Sequence, residues 1–228
     1  MNPKPRLGSK AKARKILIVD DHPMMREGLA QLINHESDLT VCGEAERSAE
    51  ALDRITRLKP DLVIADISLP DRSGLELIKD IQSMRPGLPV LVVSMHDETL
   101  YAERVLRAGG RGYVMKQEGG KKLMEAIRQV LAGRIFVSEK ISSKILETIS
   151  GDQSRNARSP IEKLTDREFE VFQLIGQGKS TRDIADQLHL SVKTVEVHRL
   201  NAKTKLELRS ASELIRYAVR WVEAEGAA

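Results

Sequence analysis

Short apolar runs and amphipathic segments alternate along residues 15–132. The apolar runs predict five buried strands, at 15–19, 39–43, 61–66, 89–94 and 112–115. The segments between and after them have apolar residues at helical spacing and predict five helices, at 23–34, 48–58, 74–84, 98–108 and 119–132. Strands that alternate with helices build a parallel sheet with helices on both faces. This part of the chain is therefore predicted to be one doubly wound α/β domain.

The alternation stops after residue 132. Residues 133–160 are predicted to be a linker, with a short helix at 139–149 and a polar, turn-rich stretch at 150–160. Residues 161–228 have no strand pattern and predict an all-α domain of four helices, at 165–176, 181–188, 192–206 and 210–222. Thr165 and Glu168 have the spacing of a capping box at the start of the first of these helices. The basic residues 1–14 are predicted to be a disordered tail.

Composition narrows the class of protein. The chain has 228 residues, of which 41% are hydrophobic and 31% charged, as in globular domains with a buried core. No apolar stretch reaches the length of a membrane span, so no membrane partner is expected. The single cysteine excludes an internal disulfide and favours a reducing compartment, which we expect to be the cytoplasm. Residues 161–228 hold 11 basic and 11 acidic residues, so overall charge does not by itself indicate nucleic-acid binding.

Reactive side chains follow four of the predicted strands. Asp20 and Asp21 follow the first strand, and Asp66 ends the third. Ser94 ends the fourth strand and Lys116 follows the fifth. Singly, each is also explained as a helix cap, a turn residue or a surface lysine. Together they should meet, because the carboxyl ends of parallel strands form the ligand-binding edge of such a sheet.

The chemistry of this set is that of phosphoryl transfer. Three clustered carboxylates repel one another unless a cation neutralises them, and they offer the oxygen ligands that Mg²⁺ prefers. A carboxylate can attack phosphorus and form an acyl phosphate. A lysine, a hydroxyl group and Mg²⁺ can stabilise the charge on the transferred oxygens. The sequence therefore predicts an aspartate that accepts a phosphoryl group.

Four motifs in this domain resemble the receiver domain of bacterial two-component response regulators. They are Val19-Asp20-Asp21-His22, Asp66-Ile-Ser-Leu-Pro70 with Gly74, Val93-Ser94, and Gly112-Tyr113-Val-Met-Lys116. The resemblance implies a flavodoxin-like receiver over residues 15–132. It implies that Asp66 is the phosphoacceptor, that Ser94 and Lys116 contact the phosphoryl group, and that Tyr113 is the switch aromatic. It further implies that Mg²⁺ is held by Asp20, Asp21, Asp66 and the backbone carbonyl of Ser68.

Residues beside these motifs lead to three further expectations. Met95 stands where receiver domains often have a smaller residue, and is expected to hinder Tyr113 from turning inward. His22 is expected to cap the following helix rather than to bind metal. Ser68 and His96 border the site and are expected to tune the lifetime of the phosphoryl group.

The third helix of the second domain has two faces. Val195, Ala202 and Leu206 lie at helical spacing and are expected to face a core. The other face mixes basic, small polar and apolar residues and could enter a major groove, with basic residues on phosphates and the others on base edges. The candidate DNA-binding residues are Lys193, Thr194, Glu196, Val197, Arg199, Leu200, Lys203 and Lys205.

A second resemblance covers this domain. Its motifs are Leu164-Thr-Asp-Arg-Glu168, Leu174-Ile-Gly-Gln-Gly178, Ile184-Ala185, Thr194-Val195, His198, Asn201 and Lys205-Leu206, and they resemble the LuxR-type helix-turn-helix. One departure is Glu207, where Gly usually follows Lys-Leu. With the receiver, the whole chain resembles a response regulator of the NarL/FixJ family.

The resemblance implies a transcription regulator and not an enzyme. A histidine kinase would phosphorylate Asp66, and this would control homodimerisation and binding to double-stranded DNA. Two alternatives stay open for a regulator: one that works without phosphate, and a signalling adaptor whose C-terminal helices bind protein. A hydrolase with an aspartyl nucleophile is a further alternative, although it would need an acid two residues after Asp66, where Ser68 stands.

Overall fold

The computed structural model describes residues 13–149 and 160–226. The predicted tail lies outside these residues except for its last two positions. The turn-rich stretch of the linker also lies outside them, except for Pro160. None of the helices within the described ranges has the length and apolar character that crossing a membrane requires.

A five-stranded parallel sheet forms the centre of the first domain. Its strands are β1 (Arg14–Val19), β2 (Leu39–Ala45), β3 (Leu62–Ala65), β4 (Val90–Ser94) and β5 (Gly112–Met115). The strand order is β2-β1-β3-β4-β5, which is the flavodoxin-like order, with a switch point between β1 and β3. The predicted fold class is confirmed. The first strand begins one residue earlier than predicted, at Arg14.

Helices cover both faces of this sheet. They are α1 (Pro23–Asn34), α2 (Ser48–Leu58), α3 (Gly74–Met84), α4 (Glu98–Arg107) and α5 (Gly119–Leu131), and α6 (Glu139–Ile149) follows. The apolar side chains of β3, of β4 and of the run Ile16 to Val19 in β1 are buried, whereas Val41 and Cys42 of the edge strand β2 are only partly buried. That burial on both faces explains why the strands appear in the sequence as continuous apolar runs without a polar alternation.

Four helices form the second domain, as predicted. They are α7 (Asp166–Gly176), α8 (Thr181–Gln187), α9 (Val192–Lys205) and α10 (Ala211–Gly226), preceded by a short 3₁₀ turn at Pro160–Lys163. Thr165 and Glu168 form the expected capping box at the start of α7. Val195, Ala202 and Leu206 are buried and hold α9 on the core of the domain.

The second domain packs against the first domain through α7. The buried ring of Tyr101 on α4 contacts that of Phe169 on α7, with centroids 5.4 Å apart. Arg104, also on α4, donates to the backbone carbonyls of Leu164 and Ile161 at 3.1 and 3.0 Å. The guanidinium carbon of Arg104 lies 4.1 Å from the centre of the Phe169 ring. One continuous apolar cluster therefore joins the two domains.

Candidate functional site

Side chains from the ends of four strands meet at one edge of the sheet. The Ser94 hydroxyl donates to Asp66 Oδ1 at 2.6 Å, and the Lys116 ammonium donates to Asp66 Oδ2 at 2.6 Å. Lys116 Nζ also lies 2.7 Å from Asp20 Oδ2. All four side chains are at most 4% exposed, so the charges of Asp20, Asp66 and Lys116 depend on one another for neutralisation.

The Lys116 ammonium is the cation of this cluster. Burial alone would lower the pKa of Lys116, but the charges of Asp66 and Asp20 outweigh burial and raise it. Lys116 therefore stays charged at neutral pH. It offsets the repulsion between the two carboxylates, which would otherwise be severe in a buried site.

The acidic residues offer a fitting donor set for a divalent cation. Ligand atoms of Asp20, Asp21, His22 and Asp66 all lie within 4.8 Å of one another. Asp21 Oδ1 is buried and has no hydrogen bond from the described residues. The Nδ1 atom of His22 lies 2.7 Å from it, but without hydrogen-bond geometry. Carboxylate oxygens in such an arrangement suit Mg²⁺, which would give Asp21 the partner it lacks.

The expectation that His22 caps a helix is confirmed for its place in the backbone only. His22 occupies the N-cap position of α1, but its side chain makes no capping hydrogen bond. Its ring instead lies beside the acidic pair, with Nδ1 3.1 Å from Asp20 Oδ1. The imidazole is drawn to the two carboxylates because they are the strongest acceptors within its reach.

Tyr113 is already turned inward. Its ring is buried, and its hydroxyl donates to the backbone carbonyl of His96 at 2.8 Å. Burial raises the pKa of Tyr113 well above its ordinary value, so the hydroxyl remains a donor. Contrary to expectation, Met95 does not hinder this arrangement, because the residue is 59% exposed and points to solvent.

Ser68 and His96 border the phosphoacceptor. The Ser68 hydroxyl and His96 Nε2 lie 2.9 Å apart, in hydrogen-bond contact. The His96 ring in turn contacts the ring of Tyr101, with centroids 4.8 Å apart. Burial lowers the pKa of His96, which favours the neutral imidazole beside Ser68.

Gly74 fixes the loop that presents Asp66. A Cβ atom at this position would stand 2.1 Å from the carbonyl oxygen of Asp66. Only glycine therefore allows α3 to begin directly against the phosphoacceptor loop. Ser73 caps this helix by accepting a hydrogen bond from the backbone of Leu75.

In the second domain, α8 and α9 form a helix-turn-helix with an exposed face. Ser191 caps α9 by accepting a hydrogen bond from the backbone of Thr194. Lys193 and Glu196 are exposed, and Val197 and Leu200 are 49% and 56% exposed. Large apolar side chains in solvent, flanked by basic residues, are typical of a surface that binds a partner.

The comparisons with known proteins agree with this geometry. Residues 16–128 match the family model "Response regulator receiver domain", and residues 162–218 match "Bacterial regulatory proteins, luxR family". The oxygen regulatory protein NreC of Staphylococcus aureus is 35% identical over 210 residues, covering 90% of this chain and 97% of that protein. The chain belongs to the NarL/FixJ family of response regulators.

Solved structures of other response regulators have the same architecture. RcsB of Salmonella enterica serovar Typhimurium, bound to promoter rprA in the presence of the phosphomimetic BeF₃⁻, is 27% identical with a TM-score of 0.61. That match covers 91% of this chain and 99% of RcsB. A LuxR-family response regulator from Aurantimonas sp. is 33% identical with a TM-score of 0.56, covering 61% of this chain and 99% of that one. This response regulator therefore has a receiver and a LuxR-type DNA-binding domain, and the adaptor alternative is set aside.

Two candidate DNA contacts of the response regulator are engaged inside the domain. The Lys205 ammonium donates to Glu168 Oε2 at 2.6 Å, and this partner lowers the pKa of Glu168 against the opposing effect of burial. Lys205 therefore links α9 to α7, and its contact with a DNA phosphate stays a prediction. Arg199 donates to the hydroxyl of Thr181 at 2.9 Å, which leaves its charge unneutralised and available to a phosphate.

The sequence reasoning missed the residues that join the two domains of the response regulator. Ser73 donates to Glu170 Oε1 at 2.8 Å, and Tyr101 donates to Gln173 Oε1 at 3.0 Å. All four residues are buried. The sequence carries one signal for them: Glu170 and Gln173 lie three residues apart, so they share one face of the predicted helix at 165–176.

Proposed function

We propose that Asp66 accepts a phosphoryl group from a histidine kinase and that this phosphorylation controls dimerisation and DNA binding. The observation that carries the proposal is the convergence of the Ser94 hydroxyl and the Lys116 ammonium on the two oxygens of a buried Asp66 carboxylate. A purely structural aspartate needs no such pair of donors. This set supplies a nucleophile together with the groups that would bind the arriving phosphoryl oxygens.

Asp20, Asp21 and Asp66 would hold Mg²⁺, with the backbone carbonyl of Ser68 as a further oxygen ligand. The ion supplies charge neutralisation for the transferred phosphoryl group. Lys116 would remain beside Asp66, and its ammonium would pair with the negatively charged phosphoryl oxygens. Ser94 would exchange its hydrogen bond to Asp66 Oδ1 for one to a phosphoryl oxygen, since its hydroxyl can rotate.

Tyr113 would transmit the change in the Ser94 hydrogen bond to the rest of the receiver. Its hydroxyl is held by the His96 carbonyl, two residues after Ser94 in the same loop. A shift of Ser94 would therefore displace the partner of Tyr113. Phosphorylation acts only as far as it favours one arrangement of this loop over the other.

On DNA, we propose that Lys193, Arg199 and Lys203 contact phosphates. Thr194, Glu196, Val197 and Leu200 would face base edges, with the two apolar side chains against thymine methyl groups. A homodimer would place two copies of α9 on half-sites about 10 base pairs apart. We further propose that the receiver spans residues 15–132, that the DNA-binding domain spans residues 161–228, and that the protein is cytoplasmic.

Intact mass spectrometry tests the central step. The chain is incubated with Mg²⁺ and acetyl phosphate, beside an Asp66→Ala variant. We expect a gain of one phosphoryl group, about 80 Da for an acyl phosphate, in the wild type and none in the variant. Absence of any gain in the wild type would favour a regulator that works without phosphate. A gain in both proteins would place the phosphoryl group elsewhere.

A further inference from the structure

Arg26 is a buried cation beside the acidic cluster, and the proposed phosphorylation gives it no role. It is the fourth residue of α1 and is 8% exposed. Its Nη1 atom donates to the backbone carbonyl of Asp20 at 2.6 Å, in a buried contact. Side chains of a helix lean towards its N-terminus, so a residue in the first turn of α1 can reach back to the end of β1. Arg26 therefore holds the backbone from which the Asp20 and Asp21 carboxylates extend.

Asp20 is held at each of its polar atoms. Its backbone N–H donates to the carbonyl of Ala45 at 3.1 Å. Its Oδ1 atom accepts from the backbone N–H of His22 at 2.9 Å, and its Oδ2 atom lies 2.7 Å from Lys116 Nζ. The hydrogen bond from Arg26 completes this set at the backbone carbonyl. Contacts within the protein therefore fix the turn at the end of β1.

The rest of the Arg26 guanidinium binds the end of β2 and the loop after it. Nη2 of Arg26 donates to Glu46 Oε1 at 2.6 Å, and Nε lies 3.5 Å from Glu44 Oε2. The Arg26 side chain is 10% exposed, whereas those of Glu44 and Glu46 are 40% and 58% exposed. A planar guanidinium can bind two partners at fixed angles, which a flexible ammonium cannot. One side chain thus links the turn after β1 to the loop after β2.

The loop after β2 is itself anchored at the start of α2. The backbone N–H groups of Ser48 and Ala49 donate to the two carboxylate oxygens of Asp71, at 2.9 and 3.1 Å. Asp71 follows Asp66 in the loop between β3 and α3. A carboxylate that accepts from the first turn of a helix stabilises that end of the helix. The guanidinium of Arg26 therefore binds a fixed support and can hold the turn after β1 in one place.

Building on the proposed metal ligands, we propose that Arg26 is a positioning residue for Mg²⁺ binding. By linking the turn to the loop after β2, it holds Asp20 and Asp21 where their carboxylates can bind the ion. The charge of Arg26 acts in the opposite direction, because a cation near the site repels Mg²⁺. Removal of the charge alone would therefore strengthen Mg²⁺ binding, whereas removal of the positioning contacts would weaken it. The sign of the change separates the two effects.

An NMR titration of the full-length chain with Mg²⁺ alone measures this sign, since the shifts of backbone amides give the Kd for the ion. Arg26→Met removes the charge and the hydrogen bonds together. We expect its Kd to rise about tenfold, as when other groups that orient metal ligands are removed. Arg26→Lys keeps the charge, but its ammonium cannot span the Asp20 carbonyl and Glu46. We expect its Kd to rise about threefold, where charge alone predicts no change.

Arg54→Met is the matched control. Arg54 is a half-buried arginine that pairs with Glu50 within α2, so this variant removes the same charge from the receiver without a contact to the turn. Its Kd should equal that of the wild type. The dispersion of the amide signals in the same spectra checks that each variant is folded. If Arg26→Met is not folded, Arg26→Lys decides the question alone.

An unchanged or lower Kd in Arg26→Met, or an unchanged Kd in Arg26→Lys, would overturn the positioning role and leave the proposed metal site in place. An equal rise in Arg54→Met would overturn it too, because the effect would then not depend on the turn. If Mg²⁺ shifts no amide of the wild type, the proposed metal site itself fails, and the role of Arg26 fails with it.

Discussion

The two functional regions of this response regulator are built in opposite ways. Around Asp66, the charged groups of Asp20, Asp66 and Lys116 are buried and already paired, with Lys116 between two carboxylates. On α9, the side chains that would meet DNA are exposed or partly exposed, and the apolar Val197 and Leu200 are 49% and 56% exposed. The first region must be preorganised because its reaction depends on distances between a few atoms. The second region needs no such preorganisation, since DNA supplies the complementary surface.

The difference also determines what a substitution should disturb. Changes in the buried cluster should alter the stability of the receiver before any ligand is added. Changes on the α9 face should leave stability intact and appear only when DNA is present. The contact between the two domains lies between these cases, because it is buried but joins parts that are expected to separate.

Lys116→Met should give the largest effect. It leaves Asp20 and Asp66 in a buried site without their cation, and breaking such a pair costs about 3 kcal/mol of the free energy of unfolding. Added Mg²⁺ should recover most of this loss, since the metal would take over the neutralisation. Urea denaturation with and without Mg²⁺ measures both quantities.

Lys122→Met is the matched control for this experiment. Lys122 pairs with Glu118, four residues earlier, and the Lys122 side chain is 37% exposed. We expect a loss of about 0.5 kcal/mol or less, independent of Mg²⁺. Equal losses in the two variants would contradict the view that Lys116 holds the acidic cluster together.

Arg104→Ala should separate the domains. Arg104 binds two backbone carbonyls of the segment before α7 and lies on the ring of Phe169. Loss of these contacts should remove about 2 kcal/mol of interdomain stabilisation. Hydrogen exchange of the amides in residues 161–166 should accelerate while that of the sheet stays unchanged. The control is Arg57→Ala, which removes an exposed pair with Asp53 far from α7 and should change neither.

Leu200→Ala should weaken specific DNA binding about tenfold, or about 1.4 kcal/mol, by removing an apolar contact with bases. The unfolding midpoint should be unchanged, because the Leu200 side chain is 56% exposed. A duplex selected from a random pool by the wild type serves as the ligand in a fluorescence anisotropy titration. Met24→Ala, a change at an 87% exposed residue of the receiver, should leave affinity unaltered. A loss of stability in Leu200→Ala would place this side chain in the core.

Much of the fold could be predicted from the sequence, for a physical reason. Strands buried on both faces must be apolar throughout, so the run Asp61–Asp66 was recognisable without its neighbours. Asp66 and Lys116 could be placed together because topology alone brings strand ends to one edge. The closure of the two domains was not predictable in this way. It depends on Tyr101, Arg104 and Gln173, which are ordinary helix residues in the sequence and acquire their role only from the docking of α7 on α4.

Lys205 shows the same limit on a smaller scale. A basic residue on α9 has the type and spacing of a phosphate contact, but its reach to Glu168 depends on how α9 crosses α7. Glu207 lies two residues further on, at a position where glycine is usual in the family. The structure gives that departure a physical meaning, since Glu207 has a φ of 59°.

Glu207→Gly should therefore produce the smallest effect, and it is a gain. A side chain at a left-handed φ costs about 1 kcal/mol, which glycine does not incur. The variant also loses an exposed ion pair with Lys163, which contributes little because both side chains are in solvent. The net result should be an unfolding midpoint about 2 to 4 °C higher for the DNA-binding domain. Glu207→Ala removes the same ion pair but keeps the Cβ atom, so it should show no gain. If Glu207→Ala is stabilised as much as Glu207→Gly, the strain lies in the charge of Glu207 and not in its backbone.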